Sequence, residues 1–187
     1  MPEQRTAGIV GLGLIGGSFA RAYRAGGWRV LAFDPDPDTM GAARIETVQG
    51  QLDDTGLAEC DIVVLAAYPG ACLDWLRDHA VELGALTART CGGPVVIDTG
   101  GVKQRVCEGA VPLAAEHGFA FCGAHPMAGS EFSGFAHARA DLFRGAPMVL
   151  VPPSLSDELR LSLLDRVHEL LAPCGFGGFS VTTPEVH

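Results

Sequence analysis

Short apolar runs alternate along this chain with longer segments in which apolar positions recur every three or four residues. That alternation is the pattern of parallel strands joined by amphipathic helices. AGIVGL at 7–12 predicts a strand, and LIGGSFARAYRAGG at 14–27 a helix closed by Gly26 and Gly27. WRVLAFD at 28–34 predicts a second strand stopped by Pro35, with a short helix over 37–45 after it. DIVVLAAY at 61–68 and GPVVIDTG at 93–100 predict further strands. The first is followed by a helix from about Pro69, the second by a helix over 102–118 that Pro112 is expected to interrupt or kink. FAFCGA at 119–124 predicts another strand, and a weak one lies near Val48. A short helix around 136–143, a strand at 147–152, a helix from Ser156 to about Leu171 and a strand at 178–183 complete the pattern.

Nearly continuous apolar strands are buried on both faces. The fold class expected is therefore α/β, a Rossmann-type doubly wound, mostly parallel sheet with helices on both faces. The 187 residues are enough for one domain with a substantial core, and 48% hydrophobic against 19% charged residues suits such a sheet. No repeat, low-complexity tract or long linker divides the chain, so residues 1–181 read as one domain. TTPEVH at 182–187 reads differently, with Thr183 as a cap and Pro184 in the first turn. It predicts the start of a linker helix to a further, absent domain.

The formal charge of −9 argues against nucleic acid and anionic membrane as partners, because both call for a basic surface. No window is apolar for the length of a membrane span, and MPEQRTAGIV lacks the regions of a signal peptide, so the expected location is cytoplasmic. The six cysteines, Cys60, Cys72, Cys91, Cys107, Cys122 and Cys174, are scattered without C-x-x-C or histidine clustering. They read as buried thiols, and no metal site is expected.

Between the first strand and helix, Gly11, Gly13 and Gly16 form G-x-G-x-x-G. Alone this pattern is weak, but strand–glycine loop–helix is the context in which it cradles a pyrophosphate. The first glycine allows the turn, the second admits the phosphates, the third lets helix and strand approach, and N–H groups at Leu14 and Ile15 face the anion. Asp34 ends the second strand 18 residues after Gly16, where a carboxylate can accept hydrogen bonds from a ribose. A 2′-phosphate would be repelled there, so the cofactor expected is NAD.

Ligands of such sheets lie across the carboxyl ends of the strands. The loops at 66–70, 98–103 and 123–131 share that edge. Tyr68 and Pro69 are candidates for the adenosine or linking phosphates, with a packing aromatic an equal reading of Tyr68. Thr99 and Gly100 border the nicotinamide, where Gly100 and Gly101 leave room. Lys103 opens a helix, a poor place for a cation unless an anion is near, and a solvent-facing lysine is as good a reading. His125 sits in GAHPMAGSE, and Pro126 restricts its backbone to extended conformations. An imidazole of pKa ~6.5 suits a base that takes a hydroxyl proton while hydride leaves the same carbon. The alternative is a histidine satisfied by a loop carbonyl. Ser130 and Glu131 read either as groups that orient the imidazole or bind substrate, or as a helix cap. His79, His117, His137 and His168 read as surface residues.

GLGLIGGSFA, Asp34, DTGGVK at 98–103, GAHPMAGSEFSG at 123–134 and TTPEVH, in this order and spacing, resemble the nucleotide-binding domain of the prephenate/arogenate dehydrogenases. The resemblance runs from about residue 7 to the end, and the H-P-M-A-G-S-E segment is its specific part. It implies NAD-dependent oxidation and decarboxylation of prephenate to 4-hydroxyphenylpyruvate in tyrosine biosynthesis, without a metal. His125 would be the base, with Gly101, Ser130 and Glu131 on the substrate side. It also implies a homodimer formed through a helical domain this chain lacks, which would supply cations for the substrate carboxylates. The isolated chain is thus expected to bind NAD and turn over slowly or not at all. Many members carry a serine where this chain has Gly101, and Thr99 or a water molecule is a candidate to replace its contact with His125. Arogenate as substrate, a hydroxyacid dehydrogenase, and a non-catalytic nucleotide-binding module are the competing readings.

Overall fold

In the computed structural model, which describes residues 4–89 and 92–187, strands and helices alternate through most of the chain. The strands are β1 (Thr6–Val10), β2 (Arg29–Phe33), β3 (Gly50–Gln51), β4 (Ile62–Leu65), β5 (Val95–Asp98), β6 (Ala120–Pro126), β7 (Pro147–Val151) and β8 (Gly178–Val181). The helices are α1 (Leu14–Ala25), α2 (Pro37–Glu46), α3 (Asp54–Leu57), α4 (Pro69–Arg89), α5 (Lys103–His117) and α6 (Asp157–Leu170). All the described strands form one sheet in the order β3-β2-β1-β4-β5-β6-β7-β8. Pairing is parallel throughout except between β6 and β7. The predicted doubly wound, mostly parallel sheet is the one observed.

Two cores flank it. Ile62 and Val64 of β4 enter one, together with Ile9, Phe19 and Tyr23. Val63 and Leu65 enter the other, with Leu31, Leu76 and Phe121. Successive strand residues point to opposite faces, so an unbroken apolar run is what a strand covered on both sides requires. The strand order reverses between β1 and β4, which opens a crevice at their carboxyl ends.

Several predicted elements differ from those found. The weak strand near Val48 lies two residues later, as β3, and the single-turn α3 had no counterpart. Helix α5 runs through Pro112 without interruption. In place of a helix at 136–143 there is a 3-10 turn at Phe135–His137, followed by turns. Tertiary docking overrides local propensity here. Phe135 and Ala138 lie against Gly17 of α1, where an added Cβ would come within 2.8 Å of each. Ser18 Oγ accepts from the Arg139 N–H at 3.0 Å, and the Arg21 guanidinium stands 4.8 Å from the centre of the Phe135 ring. At 183–187 the N–H groups of Val186 and His187 both donate to Thr183 O, as an opening helical turn does. Cys60, Cys72, Cys107, Cys122 and Cys174 are buried free thiols, and Cys91 lies outside the described residues. None of the described helices is long and apolar enough to cross a membrane.

Candidate nucleotide-binding and catalytic site

The glycine loop has the geometry its sequence demands. Gly11 has φ of +88°, and a Cβ on it would meet the backbone of Ala66 and Ala67 at 2.9–3.0 Å. A Cβ on Gly16 would lie 1.8 Å from Gly11 O, so only glycine lets α1 start this close to the strand. At Gly13, by contrast, a Cβ would meet nothing within 4 Å. Helix α1 begins there without a side-chain cap and without an acid in its first turn. The N–H groups of Leu14, Ile15 and Gly16 thus belong to the free set at a helix N-terminus, a cradle that fits a pyrophosphate.

Asp34 holds this loop from the neighbouring strand. Its Oδ2 accepts from the Leu12 N–H at 2.7 Å and its Oδ1 from the Asp36 N–H at 2.9 Å. Each carboxylate oxygen keeps a second lone pair for a ribose hydroxyl. Tyr68 is 88% exposed at the start of α4, so it packs nowhere within the described residues and its ring is free to lie along a ligand. Pro69 opens α4 on the same edge. Thr99 is buried, and its hydroxyl donates to Leu65 O at 3.1 Å rather than reaching His125.

His125 stands near the end of β6, on the same edge as the glycine loop. Three inter-strand steps separate β6 from β1, about 14 Å at ~4.8 Å per step. A dinucleotide with its phosphates over α1 would extend along this edge toward β6. The ring faces Gly101: a Cβ built on that glycine would lie 3.5 Å from both Cε1 and Nε2. The other ring nitrogen, Nδ1, is 2.8 Å from Nε2 of His187. Partial burial lowers the His125 pKa below its ordinary 6.5, and His187 and Lys103 lower it further, against the pull of Asp98. These influences favour the neutral imidazole, the form a base needs.

Under this slot lies an ion pair that sequence reading left open. Lys103 is buried, not solvent-facing, and its Nζ donates at 2.5 Å to Asp98 Oδ2 and at 2.5 Å to Ala124 O. Asp98 also accepts from the N–H groups of Gly100 at 3.0 Å and Ala124 at 3.3 Å. Burial pushes its carboxyl above the usual carboxylate range, while Lys103 and the two N–H groups pull the other way.

The remaining candidate residues have different surroundings. Ser130 is exposed and closes a local turn in which its Oγ accepts from the Phe132 N–H at 3.2 Å, so its hydroxyl is engaged there and not with the imidazole. Glu131 is exposed beside it. His137 and His168 lie at the surface, whereas His79 and His117 are half-buried, His79 with Nδ1 2.8 Å from Trp75 O. The contact between His125 and His187 spans 62 residues and was not anticipated. Two grooves of about 680 and 450 Å³ run along α5 and the β7–α6 connection, and neither is lined by the glycine loop or by His125.

Comparison with known proteins finds relatives of this chain. Residues 19–175 match the family described as prephenate dehydrogenase, nucleotide-binding domain. The chain is 31% identical over 167 residues to the prephenate dehydrogenase of Bacillus subtilis, covering 85% of this chain and 42% of that protein. It is similar to a solved arogenate dehydrogenase from Synechocystis, with TM-score 0.75 and 29% identity over 97% of this chain and 61% of that one. It is also similar to the prephenate dehydrogenase of A. aeolicus solved with hydroxyphenyl propionate and NAD+, with TM-score 0.72 and 28% identity over 99% of this chain and 62% of that one. The chain thus spans less than half the length of the curated relatives it matches.

Proposed function

The chain belongs to the prephenate dehydrogenase family through its nucleotide-binding domain, and from that premise we propose that it carries the cofactor-binding half and the base of an NAD-dependent oxidative decarboxylation of prephenate. One observation carries the reading: the His125 imidazole, at the carboxyl edge of β6, turns Nε2 toward the open Gly101 turn, three strands from the phosphate cradle.

The residues fit NAD. Gly11, Gly13, Leu14, Ile15 and Gly16 would hold the pyrophosphate, and Asp34 the adenosine ribose. Tyr68, Pro69, Thr99 and Gly100 would border the rest. When bound, NAD would supply the acceptor for a hydride from the hydroxyl-bearing ring carbon. His125 holds that hydroxyl and takes its proton as the carbon becomes a ketone. Loss of carbon dioxide then aromatises the ring, and the phenolate oxygen recovers the proton. Gly101, Ser130 and Glu131 border the substrate on this reading.

Arogenate is the second reading, favoured by the likeness to the Synechocystis arogenate dehydrogenase. Calorimetric titration of the chain with NAD tests the first half of the proposal, and absence of binding overturns it. NADH absorbance, followed with prephenate and with arogenate in turn, tests the chemistry and separates the two substrates.

A further inference from the structure

We infer that Asp98 and Lys103 are positioning residues for His125, a buried pair that fixes the two backbone segments facing each other across the reactive ring. One segment is the Gly100–Gly101 turn and the other is Ala124–His125. The pair bonds to both. Asp98 accepts from the Gly100 N–H, one residue before the glycine that faces the imidazole. It also accepts from the Ala124 N–H, and Lys103 donates to the Ala124 carbonyl, so both backbone polar groups of Ala124, the residue preceding His125, are held. Three backbone groups and one ion pair therefore set the width of the slot between Gly101 and the ring.

Stability is a poor account of this pair. Both side chains are within 1% of complete burial. Charges withdrawn from water to that degree seldom stabilise a fold more than well-packed apolar residues would. Lys103 is also the first residue of α5, whose first turn holds no acid and whose N-cap, Val102, makes no side-chain bond. A cation is unfavourable at that end of a helix dipole. The anion that offsets it comes from the end of β5, and the geometry it brings is that of the slot. The role rests on the reading of His125 as the base, yet it is testable without turnover.

The test is NMR on the chain with histidine labelled at carbon-13 Cε1, the His125 resonance being assigned through His125→Asn. The double variant Asp98→Asn/Lys103→Met removes both charges together and so leaves no lone buried ion. The expected result is a folded protein with an unshifted or raised Tm. In it the single His125 resonance splits or broadens into several ring orientations, while those of His79, His137 and His168 stay single. Multiplicity is the criterion, because a change of shift alone reports only the altered field. A single sharp His125 resonance in the folded double variant would overturn the proposal. If that variant does not fold, Lys103→Arg, which keeps the charge and alters the fork, is read by the same criterion. Failure of both to fold would also overturn it, by making the pair purely structural. Because the readout needs neither NAD nor substrate, a failed catalytic role for His125 would leave this result standing, and the reverse.

Discussion

The His125 imidazole faces Gly101 so closely that a Cβ on the glycine would lie 3.5 Å from Nε2, with nothing but the ring within 4 Å. Gly101 is not among the glycines with positive φ, so its backbone accepts a side chain. A hydroxyl placed there can bond the ring directly. Gly101→Ser is therefore expected to fold with Tm unchanged and to raise kcat about fivefold, the worth of one net hydrogen bond of ~1 kcal/mol. Steady-state rates of the variant in an active assembly check this, and a rate equal to or below that of the parent would show that the ring needs no such contact.

Removing the base has a larger effect. His125→Asn keeps a polar side chain of similar reach but cannot carry the proton away at neutral pH. A kcat lowered by about 10²- to 10⁴-fold is expected, with NAD affinity by calorimetry unchanged. Retention of the parental rate would remove His125 from the chemistry.

The pH dependence follows from the direction of the His125 shift. Its pKa is lowered by partial burial first, then by His187 and Lys103. A base works when deprotonated, so kcat/KM should hold constant downward through 6.5 and fall only below it. His187→Phe removes one of the influences that lowers it and should move that acid limb to higher pH. A limb that stays in place, measured over pH 5–8, would show that His187 has no electrostatic hold on the base.

How far sequence reading reached depended on whether the signal was local. Strand, glycine loop and helix were legible because apolar periodicity and the three glycines lie within one short segment. His125 was legible because the end of a parallel strand fixes which edge it occupies. The partners behind it were not. Asp98 and Lys103 are five residues apart, but only the turn at Gly100 folds one onto the other, and Ala124 comes from a different strand. A lysine opening a helix with no acid in its first turn was the available hint. His187 meets His125 across 62 residues, a contact no local pattern encodes. The segment after Gly134 has helical composition, yet its docking on Gly17 and Ser18 of α1 decides its shape.

Cofactor choice should follow Asp34. Its carboxylate holds the glycine loop through the Leu12 N–H and retains lone pairs toward the ribose position. Asp34→Ala removes a partner of NAD and a repeller of a 2′-phosphate together. Calorimetry is expected to show NAD weakened more than NADP. An unchanged ratio of the two affinities would take Asp34 out of the ribose site.

The glycine loop allows fold and cofactor to be separated by two substitutions three residues apart. At Gly16 a Cβ would sit 1.8 Å from Gly11 O, backbone that cannot move without displacing β1 from α1. Gly16→Ala is expected to cost about 1–3 kcal/mol of stability, visible as a lower Tm with or without NAD. At Gly13 the same methyl meets no protein atom within 4 Å and φ is −70°, which alanine adopts freely. Gly13→Ala should therefore leave the Tm of the chain alone unchanged or slightly raised. Its methyl would occupy the space into which the cradle opens, so the rise in Tm on adding NAD should shrink or vanish. A Gly13→Ala variant that NAD stabilises as well as the parent would mean the phosphates do not lie over α1, and the assignment of this loop would fall with it.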